Sequence, residues 1–282
     1  DHLSVSDIKA YLQCPTRLFF RIVLGMRLRD DIESEPGASA FGTLLHEVLK
    51  AVVDQGPCSP EHWQARCEAE LSQRIRRSYG SEARMSLTIF EHAARARLRA
   101  AGEVQLALWE EGWRTRFSEW KVKRTCAGIP IHGTLDRVDV HPEKGYRIID
   151  YKTHDQPEPP AKTHLGPPRE GRESIQLELG DRTRQWIDLQ LPLYRWLAAG
   201  QPEIDASRPL EVCYFNLPKS TKDTGIEGWA EEPALAPQAE EGLQSVLQLI
   251  QNQVWTPTSK ATPYDDFTPL LHHGSDWIPQ KV

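Results

Sequence analysis

Gly-Thr-Leu-Asp-Arg-Val-Asp at residues 133–139 and Ile-Ile-Asp-Tyr-Lys-Thr at residues 148–153 are the two stretches that decide the fold. They lie in runs that alternate with the period of a β-strand, residues 129–140 and 146–153. A third such run covers residues 117–125, and short turns rich in glycine and proline connect the runs. The pattern therefore predicts an antiparallel meander of three strands.

The first of these stretches places an acidic residue at an apolar position. Because side chains alternate along a strand, Asp136 is predicted to share the apolar side with Thr134 and Val138. Arg137 and Asp139 are predicted on the opposite side. A buried carboxylate is costly unless it is paired or bound to a cation, so Asp136 is a candidate functional residue.

The following strand places Asp150 and Lys152 on one face. Adjacent strands can thus aim two carboxylates, Asp136 and Asp150, and one ammonium group at a common point. Carboxylate oxygens suit Mg²⁺ and Mn²⁺, and a bound metal lowers the pKa of its water ligand. Lys152 can orient that water or stabilise charge in a transition state. The trio suits phosphodiester hydrolysis, although an exposed Asp–Lys pair and a hydrogen-bonded aspartate would also explain either strand alone.

Two flanking segments carry further polar side chains at helical spacing. His46 is predicted at the edge of an apolar stripe in a helix over residues 41–53, where a lone histidine is more often a core residue than a metal ligand. Downstream, Gln190 and Tyr194 lie four residues apart and hence on one helical face. They offer neutral hydrogen-bonding groups to a phosphate or to Lys152. Neither segment identifies a site by itself.

The rest of the chain is predicted to be helical on either side of the strands. Residues 58–115 are predicted as a helical insertion whose many arginines form solvated faces or line a path for phosphates. Residues 155–185 are rich in proline, glycine and charge, which predicts a long, irregular polar loop or partly mobile flap. A strand over residues 210–217 and a helix over residues 233–253 follow. We expect one α/β domain over residues 1–282, with helices flanking a mixed central sheet.

Composition excludes several other classes of protein. The 282 residues carry a formal net charge of -6, with 39% hydrophobic and 26% charged residues, as in ordinary soluble domains. This charge argues against coating nucleic acid through bulk charge, but not against an enzyme with a local basic path. No apolar stretch is long enough to span a bilayer, and the first residues lack the pattern of a secretory signal. We therefore expect a cytoplasmic protein without membrane contacts.

Four short motifs occur in order along the chain. They are Gly-Thr-x-x-His at 42–46, Gly-Thr-Leu-Asp-Arg-Val-Asp at 133–139, Ile-Ile-Asp-Tyr-Lys-Thr at 148–153 and Gln-x-x-x-Tyr at 190–194. The series resembles the RecB-like branch of the PD-(D/E)xK nuclease superfamily, the nuclease domains of RecB, AddB and related exonucleases. Each motif is unspecific alone, but four in this order are a strong signal. The resemblance implies a restriction-endonuclease-like core.

The resemblance also assigns roles to individual residues. It implies a shell for Mg²⁺ or Mn²⁺ that is made of four groups: Asp136, Asp150, His46 and the Tyr151 carbonyl. It implies a catalytic lysine and two side chains that support the active site and the DNA strand: Lys152, Gln190 and Tyr194. Glu119 matches an acidic residue often found before the first catalytic strand.

Cysteine positions depart from the pattern of many relatives, which bind an iron–sulfur cluster through one cysteine in the first helices and three near the C-terminus. Cys14 stands at the first position, but residues 258–277 contain no cysteine. Cys213 falls within a predicted strand. We therefore expect no iron–sulfur cluster and interpret Cys14 as a packing residue.

These features together predict a metal-dependent DNA nuclease, with an exonuclease favoured, that hydrolyses phosphodiester bonds in DNA recombination or repair. The resemblance implies DNA and a fused or separate helicase as partners. Two other functions stay open: a catalytically silent DNA-binding or scaffold module of a helicase–nuclease complex, and a protein-interaction domain with nine tryptophans. The intact acidic pair and lysine argue against the silent module, which has no need of an acidic cluster facing phosphates.

Overall fold

The computed structural model describes residues 2–26, 37–80 and 84–256, in which a run of helices precedes the central strands and shorter strands and helices follow them. The strands are β1 Leu3–Ser4, β2 Arg114–Cys126, β3 Ile129–His141, β4 Gly145–Lys152, β5 Leu165–Gly166, β6 Gln176–Leu179, β7 Arg182–Trp186, β8 Leu210–Asn216 and β9 Gly225–Gly228. The α-helices are α1 Val5–Gln13, α2 Pro15–Leu18, α3 Ala38–Val53, α4 Pro60–Tyr79, α5 Met85–Glu111, α6 Pro160–His164, α7 Gln190–Ala199 and α8 Glu232–Gln251. None of these helices is long and apolar enough to cross a membrane.

The central sheet contains the meander that the alternating pattern predicts, which is thereby confirmed. β3 pairs antiparallel with both β2 and β4. β4 has β8 as its parallel neighbour, and β9 pairs antiparallel with β8. β1 adds a short parallel pair to β3, so the sheet is mixed.

On one edge of β3, two strands pair with separate stretches of residues and leave a gap between them. β2 pairs with β3 along residues 129–140. On the other edge, β4 pairs only with residues 137–141 and β1 only with residues 131–132. Within the described part of the chain, residues 133–136 have no strand beside them on that edge. Side chains from other elements can approach the sheet there.

Alternate residues of β4 and β8 pack into two separate hydrophobic clusters. Ile148 and Tyr214 belong to the cluster that includes residues of α1, α7 and α8, whereas Ile149 and Phe215 belong to the cluster with α3, α4 and α5. Helices therefore cover both faces of this part of the sheet. This burial on both sides explains why apolar residues of the two strands point to both faces rather than to one.

Two long helices, α4 and α5, occupy most of the segment predicted as a helical insertion. Some of its arginines lie on solvated faces as expected; Arg95, for example, pairs with Glu91 one turn earlier at 2.8 Å. Arg97 differs, because it is buried and donates hydrogen bonds to the carbonyls of Thr153 at 2.7 Å and Leu217 at 2.9 Å. These residues directly follow β4 and β8, so α5 holds the ends of both parallel strands.

The segment 155–185 contains regular structure. After α6, a small three-stranded sheet forms in the order β5-β7-β6. The interpretation as an irregular loop is wrong because the few apolar residues of the segment are spaced to be buried together. Leu165, Ile175 and Leu177 all join the hydrophobic cluster of α1, α7 and α8. Their burial anchors a segment whose composition is otherwise polar.

Gly102 of α5 tests the packing of the helical segment. A methyl group added there would lie 2.5 Å from Nε1 and 2.6 Å from Cδ1 of the buried Trp63 indole. Alanine is favoured over glycine within a helix by about 1 kcal/mol, but overpacking a core costs about 1–3 kcal/mol. We expect Gly102→Ala to lower the free energy of unfolding in a urea titration.

Gly225→Ala is the control for this substitution, because no heavy atom lies within 4 Å of its added methyl group. Its free energy of unfolding should stay within about 0.5 kcal/mol of the parent value. If Gly102→Ala is as stable as the control, the close approach of α5 to Trp63 is wrong.

Candidate active site

The ladder between β2 and β3 lacks one pair where Asp136 lies. Glu119 and Asp136 stand opposite each other between two regular pairs, whereas the shift in register lies further along, between Thr115 and Phe117. Glu119 has a φ of 49°, a left-handed conformation that residues with a side chain seldom adopt and that is often found at functional sites. Asp136 lies at the gap in β3, where its Oδ2 accepts a hydrogen bond from the backbone N–H of Tyr151 at 3.0 Å.

Both sides of β3 are buried near Asp136. Val138, on the side predicted to be apolar, joins the hydrophobic cluster of α1, α7 and α8, and the opposite side carries Arg137 and Asp139. Arg137 and Asp139 are 1% and 0% exposed, and Arg137 donates two hydrogen bonds to the carboxylate, at 2.6 and 2.5 Å. These charges tolerate burial because they neutralise each other. Arg137 also donates to the Tyr151 hydroxyl at 3.2 Å and thereby anchors that residue.

The side-chain amide of Gln190 holds an ion pair at the end of β4. Lys152 Nζ lies 2.7 Å from Asp150 Oδ2. Gln190 Oε1 accepts a hydrogen bond from Lys152 Nζ at 3.1 Å, while Gln190 Nε2 donates to Asp150 Oδ1 at 2.9 Å. The same Nε2 donates to the Tyr194 hydroxyl at 3.1 Å. The structure thus brings together these four predicted site residues in one hydrogen-bonded group.

The start of α7 positions Gln190, and sequence reasoning missed the two residues that hold it there. The Gln190 N–H donates to Asp188 Oδ1 at 2.7 Å, and Asp188 Oδ2 lies 2.7 Å from Lys9 Nζ of α1. α7 begins at Gln190, four residues after β7 ends at Trp186. An aspartate just before a helix is a usual capping signal, so Asp188 was recognisable in the sequence.

Tyr214 is a second residue that sequence reasoning missed. It lies beside Asp150 in the parallel pair of β8 and β4, and its ring centroid is 4.7 Å from Lys152 Nζ. The ring is buried, and its hydroxyl forms a hydrogen bond with Thr163 Oγ1 at 3.1 Å. An ammonium group over an aromatic face is held by a cation–π interaction. No local pattern reveals this contact, because it depends on which strand lies beside β4.

His46 reaches the site from α3, on the other side of the sheet from α7. Its Nε2 lies 2.9 Å from the Tyr151 carbonyl oxygen, and because a carbonyl only accepts, Nε2 carries the proton. Its Nδ1 lies 3.4 Å from Asp136 Oδ2. Gly42, one turn earlier, permits a close approach, because a Cβ there would lie 3.0 Å from Thr153 Oγ1. The predicted metal-shell groups His46, Asp136 and Tyr151 are therefore in direct contact.

Negative charge is concentrated around Asp136. Burial and the neighbouring Asp150 carboxylate raise the pKa of Asp136 well above its usual range, and Glu119 adds to this effect. Burial lowers the pKa of His46, although Asp150 opposes the change. Burial would also lower the pKa of Lys152, but the Asp150 carboxylate outweighs it, so this pKa is raised and the ammonium group is retained. One ammonium group thus faces three carboxylates.

The excess of negative charge fits a divalent cation. Oδ2 of Asp150 is buried and, apart from the ion pair with Lys152, has no hydrogen-bond partner in the described residues. Within residues 2–26, 37–80 and 84–256, no three His, Cys, Asp or Glu side chains are assembled as a closed metal site would require. A magnesium site needs only one or two carboxylates, since water and substrate fill its other positions. Asp136 and Asp150 satisfy that requirement.

A model of the family described as the PD-(D/E)XK nuclease superfamily matches residues 2–265. The chain belongs to this superfamily. Membership in the PD-(D/E)XK superfamily indicates a nuclease, a hydrolase that acts on phosphodiester bonds, and its members typically use divalent metals. It also confirms the expected fold class, a restriction-endonuclease-like α/β core with a mixed sheet between helices.

Other comparisons add little to the superfamily assignment. Curated proteins give no match. A solved structure described as "Crystal structure of SSO0001" is similar at 13% identity, over 97% of this chain and 86% of that chain, with a TM-score of 0.32. Similarity of this size carries no argument about the chain. The assignment to the PD-(D/E)XK superfamily rests on the family match.

The crowding of carboxylates around Asp136 should cost stability in the metal-free protein. The folded state keeps a proton on Asp136 at pH values where the unfolded chain has lost it, so the free energy of unfolding falls as the pH rises from about 4 through the raised pKa. Asp136→Asn removes the charge and keeps an acceptor for Tyr151. We expect it to raise the melting temperature at about pH 8, by about 2–4 °C per kcal/mol gained, and to change it little at about pH 4.

Asp139→Asn is the matched control, because it makes the same chemical change on the same strand. It leaves the buried Arg137 guanidinium without its carboxylate, which should cost about 3–5 kcal/mol. Thermal unfolding in the presence of a chelator measures both variants. A lower melting temperature for Asp136→Asn than for the parent near neutral pH would show that Asp136 is not in an uncompensated carboxylate cluster.

The position of Tyr214 beneath Lys152 gives a test of cleavage. Tyr214→Phe keeps the ring and loses only the hydroxyl, whereas Tyr214→Leu loses the ring. A cation–π contact is worth about 0.5–2 kcal/mol, which corresponds to a factor of about 2 to 30 in rate. We expect the leucine variant to lose cleavage rate by such a factor and the phenylalanine variant to retain most of it, in assays at saturating DNA and metal.

Phe90→Leu is the control for this pair, because this buried aromatic ring of α5 packs in the other hydrophobic cluster, against Phe41 and Tyr79. It should lower stability without a comparable loss of rate in the folded enzyme. Equal rate losses for Tyr214→Leu and Phe90→Leu would exclude a positioning role for the Tyr214 ring.

Proposed function

We propose that this chain is a divalent-metal-dependent deoxyribonuclease with Asp136, Asp150 and Lys152 in its catalytic centre. The observation that carries the proposal is the group in which Gln190 fixes Asp150 and Lys152. Asp136 lies in the gap of β3, close enough to Asp150 for the two carboxylates to interact. A buried ion pair with a structural role alone would not need a second, uncompensated carboxylate beside it.

The proposed metal shell uses the four groups that the resemblance implies. Asp136 and Asp150 would supply carboxylate oxygens, and His46 would add Nδ1, the nitrogen nearer to Asp136. Its Nε2–H would keep the hydrogen bond to the Tyr151 carbonyl, as the second nitrogen of a metal-bound histidine usually does. That carbonyl has a second lone pair with which it could also ligate. A bound divalent cation supplies an activated water and neutralises charge on the phosphate.

Three further side chains act without binding the metal: Lys152, Gln190 and Tyr194. The raised pKa of Lys152 keeps its proton, so it acts as a hydrogen-bond donor that stabilises negative charge on a phosphate oxygen. Gln190 holds that ammonium group in place. Burial raises the pKa of Tyr194 and keeps it neutral, so its hydroxyl proton is retained for a phosphate or water. Glu119 is proposed as an additional acidic residue at the edge of this centre.

Finer assignments rest on the order of the motifs. That order supports the RecB-like branch, exonuclease action in DNA recombination or repair, and a fused or separate helicase as partner. Cys14 is fully buried, as expected of a packing residue. The expected lack of an iron–sulfur cluster stays a prediction, since residues 257–282 lie outside the described part of the chain. Residues 155–185 are proposed to border the DNA path, because Thr163 contacts Tyr214 beneath the catalytic lysine.

Cleavage assays on three substrates test the proposal. The purified protein is incubated with linear single-stranded DNA, linear duplex and covalently closed circles, with Mg²⁺ or Mn²⁺ and then with chelator. An exonuclease should degrade linear DNA, spare closed circles and stop when the metal is removed. A folded protein that binds DNA but cuts none of the substrates would support the silent scaffold module instead.

Substitutions separate metal binding from catalysis within the one centre. Asp136→Ala and Asp150→Ala each remove a ligand and a charge, so we expect both Mn²⁺ binding and cleavage to be lost. Lys152→Ala removes a positive charge beside the metal, so Mn²⁺ binding should persist or tighten while cleavage falls by about a hundredfold or more. His46→Ala should lie between these cases, because water can replace a third ligand. Calorimetry with Mn²⁺ and a cleavage assay on each variant measure the two properties.

Two results would contradict the assignment. One is an Asp150→Ala variant that binds Mn²⁺ as the parent does. The other is a Lys152→Ala variant that cuts DNA at the parent's rate. Either would move the catalytic centre away from the end of β4.

A further inference from the structure

Strand β2 carries an unusual amount of positive charge. Its 13 residues include one carboxylate, Glu119, and five exposed cations: Arg114, Arg116, Lys121, Lys123 and Arg124. Five cations and one carboxylate give β2 a formal charge of +4, in a chain whose net charge is -6. Such a contrast marks β2 as a candidate binding surface for an anionic partner.

The lysines of β2 lie beside the catalytic centre. β2 pairs only with β3 among the described strands, so its other edge is open. Lys121 is paired with Thr134 and Lys123 with His132, and paired residues point to the same face of a sheet. Asp136 follows Thr134 by two residues, which is about 7 Å along a strand. The two lysines therefore continue in a line away from Asp136.

Contacts within the fold distinguish these lysines from two of the three arginines of β2. Arg114 donates hydrogen bonds to the carbonyls of Trp109 and Trp113. Arg124 lies over the Trp196 ring and donates to its carbonyl. These arginines hold neighbouring elements in place.

Lys121 and Lys123 make no such contacts. For neither side chain does the structure record an ion pair or hydrogen bond with any residue of the described ranges; the bond that Gln201 donates to Lys123 is to its backbone carbonyl. Their ammonium groups are exposed to solvent and available to a ligand.

We propose that Lys121 and Lys123 bind the phosphodiester backbone of the DNA strand that leads to the catalytic centre. This inference rests on the proposed function and adds the position of the substrate path. Lysine is a common phosphate ligand. The spacing of the two residues, about 7 Å, equals the rise of about two phosphates along one strand of a duplex. The strand would pass along β2 and reach the metal shell at Asp136.

Another explanation of the lysines concerns self-association. Lysines on an exposed edge strand discourage pairing with a second chain. That explanation predicts that their removal promotes oligomers and leaves DNA binding unchanged, whereas the proposed path predicts the opposite. The two explanations are therefore separable in one set of variants.

The experiment measures DNA affinity as a function of salt for Lys121→Ala, Lys123→Ala and the double variant. Fluorescence anisotropy of labelled single-stranded and duplex oligonucleotides, with chelator present, reports binding without cleavage. Each lost phosphate contact should reduce the slope of log affinity against log salt by about 0.7 to 0.9. It should weaken binding about eightfold at about 0.1 M salt and about fourfold at about 0.2 M. In cleavage assays, the DNA concentration for half-maximal rate should rise.

Lys144→Ala is the matched control. Lys144 is also an exposed lysine, but it lies in the turn before β4, at the opposite end of that strand from the catalytic lysine, and pairs with Glu111 at 3.1 Å. The Lys144→Ala substitution removes one positive charge from the chain, as each single lysine variant of β2 does. Because Lys144 lies away from the proposed path, the slope of log affinity against log salt should stay as in the parent. Melting temperatures and size-exclusion profiles of all variants verify folding and oligomeric state.

The outcomes separate this inference from the proposed function. Salt slopes for Lys121→Ala and Lys123→Ala equal to that of Lys144→Ala would overturn the path, as would self-association with unchanged DNA affinity. If the parent chain cleaves DNA and the lysine variants bind as the parent does, the path fails while the nuclease assignment stands. If the parent binds DNA through both lysines but cuts none, the path stands and the proposed function fails.

Discussion

The backbone of Tyr151 joins parts of the site that come from opposite faces of the sheet. Its N–H donates to Asp136 in β3, and its carbonyl accepts from His46 in α3. The residues before and after it, Asp150 and Lys152, point towards α7 because side chains alternate along a strand. Any shift of this one residue would displace every charged group of the centre. The buried pair of Arg137 and Asp139, which holds the Tyr151 hydroxyl, therefore matters for position as much as for stability.

A second constraint is the choice of an amide at position 190. Asp150 needs a donor and Lys152 needs an acceptor, and a glutamine offers both from one rigid plane. Its second N–H donates to the Tyr194 hydroxyl. Both N–H groups of the amide therefore have an acceptor, in a site where an unpaired polar group is costly. A carboxylate at this position would accept from Lys152 but repel Asp150. The neutral side chain therefore fixes an ion pair without adding to the negative charge around Asp136.

The sequence predicts the strands and the helical patterns well, because β-branched alternation and apolar periodicity are local signals. It also points to four candidate site residues, either because a charged residue stands at an apolar position or because the residue belongs to a motif in the order typical of the family: Asp136, Asp150, Lys152 and Gln190. It does not predict contacts that depend on how the strands and helices pack together. Tyr214 looks like an ordinary core aromatic until β8 is placed beside β4, and the burial of Arg137 depends on helices that cover both faces. The small sheet within residues 155–185 escapes notice because only a few buried apolar residues anchor a polar segment.

The gap beside β3 follows from the way the first described residues fold. β1 ends at Ser4, whose hydroxyl accepts a hydrogen bond from the Asp7 N–H at 3.0 Å, while Asp7 accepts in return from the Ser4 N–H at 2.9 Å. This capping box turns the chain into α1 after only two paired residues, so β1 stops before it reaches the edge of β3 beside Asp136. The helix that begins there carries Lys9 to Asp188 and so holds the start of α7. One local capping motif thus both leaves the space that Asp136 needs and positions the amide that faces it.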